Sequence, residues 1–495
     1  MGMWLGDFIK EENKMKKFIA LLLPVIMILS FVACGDPSKP ASGETTLPVQ
    51  SDIAETTPQG PPTFEMSDYK GRTFKIAWPI LTLNQDYYLI HEETGDQLND
   101  AVYNRLMKIE EQLNIKFAHR DTGELENCNH VLPLLQRLVG AGDAEFDMVL
   151  SHTAVDLGPI IYDNLVLDWN NVNYIDPTKE YWNHEINRTM SVMGKQPYIS
   201  NSWNIAEFIA ILFNKKMITD YQLDDPFGLV HNNKWTIDKM TEMAKIVVSD
   251  INGDGVFTDA DQYGFGTSLD WHMKAFLVGF NQQVVAKNSE GLMEYVVMNE
   301  RMITIAEKMY KLLYEDNTSL TWVYGTYQGG IIVPMFDEGR MLFLNQWMAH
   351  SEKYRQADVE YGILPHPKLD ENQEKFRAYN SACYNVIPNV AGIDTDLVGK
   401  VLELLGYWGY YSVVPTYKEV LLTEKVSRDN ESAEMLDIIF SNVVVDLANA
   451  FGYMEILYAL MNAKSVDVVS WYDKNMPAHE KTLEKSNEAF AAFGK

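Results

Sequence analysis

Gly140-Ala-Gly-Asp-Ala-Glu-Phe-Asp-Met-Val-Leu150 decides the fold class, because a glycine-marked turn leads straight into a short apolar strand. Working outward toward the N-terminus, Thr73-Phe-Lys-Ile-Ala-Trp78 reads as a strand and Asn99 to Leu113 as a helix. Ile115-Lys-Phe-Ala-His-Arg120 reads as a strand and Val131 to Val139 as a helix. The segment therefore closes a βαβαβ unit, and strands alternating with helices predict a mainly parallel sheet with helices on its faces, an α/β architecture.

The same grammar continues downstream. Ile209-Ala-Ile-Leu-Phe213, Tyr263-Gly-Phe-Gly266 and Arg340-Met-Leu-Phe-Leu344 read as strands. Helical patterns run from Met302 to Tyr314, Thr395 to Tyr411 and Ser432 to Ala448. About 430 residues follow from Glu65, too many for one core and suited to two α/β units, and 46% hydrophobic with 12% aromatic residues supplies ample core. A net charge of −28 repels phosphate backbones and anionic lipid heads, which argues against a nucleic-acid partner.

Ahead of the globular part, Lys16 and Lys17 precede an apolar run from Phe18 to Phe31 and then Val-Ala-Cys34-Gly. This is the layout of a secretion signal, with Met15 reading as its start. As a membrane-spanning helix the run falls short of the ~20 residues a bilayer needs. The end of the run resembles the lipobox of bacterial lipoproteins, with Phe31 standing where Leu is usual. That resemblance implies that residues 1–34 are a signal peptide and that Cys34 becomes the lipidated first residue, held at the extracellular face of the cell membrane. Residues 35–64 hold six of the 19 prolines among Ser, Thr, Gly and Gln, a composition that cannot bury enough surface to fold and reads as a tether. Cys128 and Cys383 form no CxxC motif or Cys/His cluster; they are expected as separate buried thiols, although export would permit them to pair.

One local motif has metal-ligand spacing. Across Asp250 to Asp261, oxygen donors fall at positions 1, 3 and 5 of a twelve-residue loop (Asp250, Asn252, Asp254), with Gly255 at 6, the Val256 carbonyl at 7, Thr258 at 9 and Asp261 at 12. Phe257 at position 8 ties the loop to a core. Asp261 has a shorter arm than the usual Glu, and a strand rather than a second helix follows, so the expectation is one structural calcium ion and not a paired sensor. The bland alternative is an acidic Asx-turn without metal.

Phe213-Asn-Lys-Lys-Met217, Trp235-Thr-Ile-Asp238 and the acidic loop running into Asp261-Gln-Tyr-Gly264 are together similar to the middle of extracellular solute-binding proteins of carbohydrate-type ABC importers, related in fold to maltose-binding protein. Tyr361-Gly-Ile-Leu-Pro-His-Pro-Lys368 with Gln373, and Lys425-Val-Ser-Arg-Asp-Asn-Glu-Ser-Ala-Glu-Met-Leu436, resemble further segments of lipoprotein members. The resemblance implies a type II periplasmic-binding-protein-like fold: two α/β lobes with mixed sheets flanked by helices and a hinge between them. Lobe one is expected at 65–203 and 322–380, lobe two at 204–321 and 381–495. It also implies a monomeric, non-enzymatic receptor that delivers a carbohydrate, expected to be an oligosaccharide, to ABC permease subunits and touches the membrane through its lipid anchor only.

A pyranose has apolar C–H faces that lie on aromatic rings and a rim of hydroxyls that need fixed donors and acceptors. Candidate stacking residues are Trp347, just after a strand, with Trp203, Trp271 and Trp78. Candidate polar partners are His152, Asp270, Asn345 and Tyr379. For each, ordinary core packing or capping is the competing role. A glycan hydrolase is the rival function, since paired carboxylates can cleave glycosidic bonds, but no GxSxG, HExxH or phosphate-cradling loop is present in the sequence. An anchored sugar sensor or adhesion module is a third reading.

Overall fold

The computed structural model describes residues 60–65, 67–78, 92–121, 130–152, 157–205, 207–322, 329–348, 359–381, 383–423, 430–451 and 454–494. The signal segment, Cys34, nearly all of the tether and Cys128 lie outside the described residues. Along the chain the strands are β1 (Arg72–Trp78), β2 (Ile115–Asp121), β3 (Met148–His152), β4 (Ile209–Asn214), β5 (Tyr263–Ser268), β6 (Val285–Lys287), β7 (Met293–Tyr295), β8 (Ser319–Trp322), β9 (Met341–Trp347), β10 (Tyr361–Leu364), β11 (Ala378–Tyr379), β12 (Cys383–Val386) and β13 (Val443–Val444). Helices used below are α1 (Gln97–Leu113), α2 (Val131–Ala141), α3 (Ile237–Ile246), α4 (Trp271–Gly279), α5 (Glu300–Tyr314), α6 (Thr395–Trp408), α7 (Asn430–Ser441) and α8 (Leu447–Ala450).

Two main sheets form. The first has the order β12-β3-β1-β2, with β1, β2 and β3 parallel and β12 antiparallel to β3. The second has the order β10-β4-β9-β5-β8, with β5 parallel to both β8 and β9, and β4 antiparallel to β9 and β10. The βαβαβ opening is therefore as the sequence predicts. Local chemistry explains its helices: the Asp96 carboxylate accepts the Leu98 and Asn99 amides at the start of α1, and Asn114 ends it in the left-handed conformation (φ 48°). Leu98, Val102, Leu106, Ile109 and Leu113 give α1 one apolar face. In β5, Gly264 is needed because a Cβ there would sit 2.1 Å from the Ala244 carbonyl oxygen of α3.

Sheet pairing departs from the expected lobe boundaries at two places. Residues 341–347 pair in the second sheet with β4 and β5, although 322–380 was expected with the first unit. Cys383–Val386 pairs with β3 in the first sheet, although 381–495 was expected with the second. These pairings join strands far apart in sequence, which local patterning cannot register. The helix expected from Ser432 to Ala448 is also broken: the β-branched Val443-Val444 pairs in parallel with β11, and Asp446 starts a new helix by accepting the Ala448 amide.

One apolar core lies around Phe74, Leu106, Met148, Leu150, Trp203 and Leu402 against the first sheet. A second lies around Phe208, Leu212, Met335, Met341 and Tyr361 against one face of the second. The largest cluster carries Val149 and Val386 of the first sheet together with Ile211, Phe265 and Phe343 of the second and Phe276 of α4, so both sheets share it. Among the described residues no helix is long and apolar enough to cross a membrane.

Candidate functional site

The chain crosses between the sheets along residues 199–208 and returns along 380–385. The two segments pair as a ribbon, with bridges Ile199 to Asn385 and Phe208 to Asn380, and the Ser381 amide donates to the Glu207 carbonyl at 2.9 Å. Buried amide side chains fasten its first-sheet end: Asn385 Nδ2 donates to Asn204 Oδ1 (2.7 Å) and to the Ile199 carbonyl (3.1 Å), and Asn201 Nδ2 donates to the Leu402 carbonyl (2.8 Å). Gly409, just beyond α6, lets that helix seat on the ribbon, since a Cβ there would meet the Ser202 carbonyl oxygen at 2.4 Å.

The ribbon emerges beside the carboxyl ends of the parallel strands in both sheets. Trp78, Asp121 and His152 end β1, β2 and β3, with Cys383 opposite His152; Ser268, Trp322 and Trp347 end β5, β8 and β9, with Ile209 opposite Trp347. Outside the carboxyl ends of strands is where open α/β sheets place ligands.

At the second sheet's end, four rings form a corner. Trp347 meets Tyr379 edge to face (6.2 Å, 66°) and lies 6.4 Å from the His272 ring, which itself is 5.9 Å from Trp322. Trp347 and Trp322 keep part of their surface exposed, whereas His272 and Tyr379 are buried. The first turn of α4 completes the corner. Asp270 caps it, with Oδ1 accepting from the His272 amide (3.4 Å) and facing His272 Nδ1 (3.1 Å). Burial opposes ionisation of Asp270, but its hydrogen bonds from the His272 side chain and amide outweigh it and hold the carboxyl below its ordinary range. On the same turn, Lys274 Nζ lies 3.9 Å from the centre of the half-exposed Trp271 ring, and burial brings this ammonium down to about 8.

Of the residues singled out from sequence, Trp347, Tyr379, Asp270 and Trp271 come together here. Tyr379 OH donates to Asn449 Oδ1 (3.3 Å), and burial pushes its phenol up. His152 lies on the first-sheet side of the ribbon, its Nε2 3.7 Å from Glu207 Oε2, both groups buried. Asn345 is a core residue: its Nδ2 donates to Thr267 Oγ1 (3.3 Å) and its Oδ1 accepts from His366 Nε2 (3.1 Å), a ring that burial brings down to about 3 and so keeps neutral. Trp203 corrects the expectation of a stacking ring, because it is fully buried in the first core with no face toward solvent. Trp78 ends β1 as expected, and its side chain lies outside the described residues.

His272, Trp322, Glu207 and Asn449 were not read from sequence. An aspartate cap followed two residues later by histidine is the one local signal that marks His272; Trp322 ends a strand of four mixed residues. Several buried polar atoms near the ribbon have no hydrogen-bond partner among the described residues, including His272 Nε2, Asn380 Oδ1, Tyr384 OH and Asn449 Nδ2. Cavities of about 580 Å³, beside His184, Arg188 and Lys287, and about 790 Å³, beside Arg301, Asp370 and Arg377, lie elsewhere and are lined by no tryptophan. The aromatic corner is the better match to a ring-shaped ligand.

In the acidic loop, Asp250 accepts the Gly253 and Gly255 amides (2.7 and 2.8 Å), Asp254 accepts the Val256 amide (2.7 Å), and Asp261 accepts those of Ile251 and Thr258 (3.0 and 2.8 Å). Gly253 and Gly255 have positive φ, and Phe257 packs edge to face on Tyr263. Among the described residues, no group of three or more His, Cys, Asp or Glu side chains stands where it could hold a metal ion.

No protein-family model matches the sequence, and no curated protein matches it. Solved structures match over nearly the whole described body. The galacto-N-biose/lacto-N-biose I-binding protein of an ABC transporter from Bifidobacterium longum aligns at TM-score 0.55 and 10% identity, over 86% of this chain and 97% of that one. The cyclic α-maltosyl-1,6-maltose binding protein from Arthrobacter globiformis gives 0.54 and 11%, over 85% and 98%. A cyclo/maltodextrin-binding protein complexed with maltotetraose gives 0.54 and 14%, over 86% and 98%. The chain has the type II binding-protein fold. These binding proteins share its α/β body with mixed sheets flanked by helices, and in this fold the ribbon occupies the place of the hinge between lobes.

Proposed function

We propose that this chain is a substrate-binding receptor that captures a carbohydrate against the Trp347 corner and hands it to an ABC permease. One observation carries the reading: a partly exposed tryptophan platform at the carboxyl ends of the second sheet, next to the inter-sheet ribbon, with buried hydrogen-bonding atoms left over beside it. Indole faces suit the apolar side of a pyranose, and the leftover atoms suit its hydroxyls. The structural neighbours named above bind sugars, which supports this ligand class. Binding between lobes would be followed by closure, a hinge motion of the kind this fold allows, and the energy for transport would come from another chain.

Cys34 would supply the lipid anchor and residues 35–64 the tether, placing the receptor at the outer face of the membrane as a monomer. For the acidic loop we propose calcium as a structural ion: Asp250, Asn252, Asp254 and Asp261 stand at the ligand positions of a twelve-residue loop, their oxygens would have to turn from the backbone amides they now accept, and a cation would relieve the repulsion among the carboxylates. The test of the main reading is a thermal-shift screen over a glycan panel, followed by calorimetry and chromatography of each hit. A saturable melting-temperature rise with the glycan recovered intact is the expected result. A glycan recovered as cleaved products would establish the hydrolase instead, and a panel with no hit would refute the carbohydrate assignment.

A further inference from the structure

Within the aromatic corner, His272 carries a polar atom that is buried and has no hydrogen-bond partner among the described residues. Its ring is 4% exposed and sits between Trp322 and Trp347, with centroids at 5.9 and 6.4 Å. Nδ1 faces Asp270 Oδ1 at 3.1 Å. An ionised carboxylate can only accept, so the proton of a neutral imidazole resides on Nδ1 and the other nitrogen, Nε2, presents a bare lone pair. That Nε2 has no hydrogen-bond partner among the described residues. Asp270 is itself fixed, as the cap of α4, so the tautomer is set by the same residue that begins the helix.

A buried acceptor left unmatched is disfavoured unless something donates to it. The two flanking indoles define what can approach: a flat-faced ring with a hydroxyl at its rim. Resting on the receptor reading above, we propose that His272 Nε2 accepts a hydrogen bond from one ligand hydroxyl and is the specificity-determining contact of the site, with Asp270 as its positioning residue. A site built to pair a particular hydroxyl rejects analogues lacking it far more strongly than an apolar pocket rejects a change of shape. The selectivity of this receptor should therefore turn on the presence and orientation of that one hydroxyl more than on ligand length.

The test is a double-mutant cycle by calorimetry, with the glycan that binds wild type most tightly and its set of monodeoxy analogues, on the full mature chain and on H272F. Expected is a roughly tenfold to hundredfold weaker Kd for H272F with the parent glycan. One deoxy analogue should lose the same factor against wild type and nothing against H272F. Equal affinity of H272F and wild type for the parent would overturn the contact, as would losses that add independently for every analogue. A wild type that binds no glycan would instead overturn the receptor reading on which the contact rests. Should H272F fail to fold, the imidazole ¹⁵N resonance of Nε2 in wild type decides: it moves on glycan addition if the hydroxyl donates to it, and an unmoved resonance refutes the proposal.

Discussion

Replacing Trp347 by Ala tests the platform directly. In the structure its indole ends β9 opposite Ile209, touches the Tyr379 ring at 6.2 Å and lies 6.4 Å from His272, with part of its surface open. Deleting a fully buried tryptophan costs ~3–5 kcal/mol; Trp347 is only partly buried, so the fold should lose about 2 kcal/mol, within what a domain of this size tolerates. Removing a stacking aromatic from the centre of a binding site costs ~2 kcal/mol or more in affinity, about thirtyfold in Kd. Trp347→Phe keeps a smaller ring face and should fall between. Trp203→Ala is the counterweight: that ring is 0% exposed in the first core, so the variant should lose ~3–5 kcal/mol of stability while its folded fraction binds as wild type does. Calorimetry with the best glycan and thermal melts on the three variants read both axes. A folded Trp347→Ala protein whose Kd stays within twofold of wild type would remove Trp347 from the site and refute the reasoning.

Three further expectations concern the scaffold. Glu403 is buried against Tyr181 OH, Trp182 Nε1 and the Asp176 amide, and burial pushes its carboxyl up to about 7. A folded-state value above the unfolded one favours the protonated form, so its contribution is present in acid and is lost as pH rises through 7. Wild type should thus weaken from pH 5 to 8 by up to ~1.4 kcal/mol per unit relative to Glu403→Gln, and parallel melting profiles for the two would sink this assignment. Asn385→Ala strips two donors' worth of ribbon fastening at a 0% exposed site, and should cost ~1–3 kcal/mol by chemical denaturation; a change under a few tenths would show the ribbon does not depend on it. Calcium at a hundredfold excess over its Kd should stabilise the chain by ~2.7 kcal/mol, and calorimetry showing no heat, with no melting shift, would leave the acidic loop as a metal-free turn.

The sequence makes the parallel opening legible because β1 and β2 alternate apolar with polar residues and β3 opens on an apolar run, with clear helical patterns between them, and β4 and β9 carry apolar runs. It hides β8 and β12, where Ser-Leu-Thr-Trp and Cys-Tyr-Asn-Val have four residues each and no dominant periodicity. Their partners lie far off in the chain, so pairing and not local pattern assigns 319–322 to the second sheet and 383–386 to the first. Within the site, Trp347 is legible as an aromatic just past a strand, and Asp270 as a cap. His272 is not, since a histidine in the first turn of an apolar helix looks like any half-polar core residue; only the proximity of two tryptophans from other strands gives it meaning.

The distribution of awkward groups follows the same logic. Most of the interior is apolar, with buried charged groups such as Arg105, Lys368 and Glu403 set into it, and several further polar side chains are buried where the ribbon crosses. Glu207 and His152 face each other there, and Asn380, Tyr384 and Asn449 each have a buried atom with no hydrogen-bond partner among the described residues. Asp446 is buried deeply enough to push its carboxyl up to about 6, yet it accepts the Val284, Val285 and Ala448 amides and so starts the short helix that carries Asn449 to Tyr379. Each such group costs stability where it stands, and packing elsewhere must offset it. A chain selected for stability alone would have filled these positions with Leu or Phe. Those beside the ribbon adjoin a platform of partly exposed rings, in a region that the fold alone does not require to be polar.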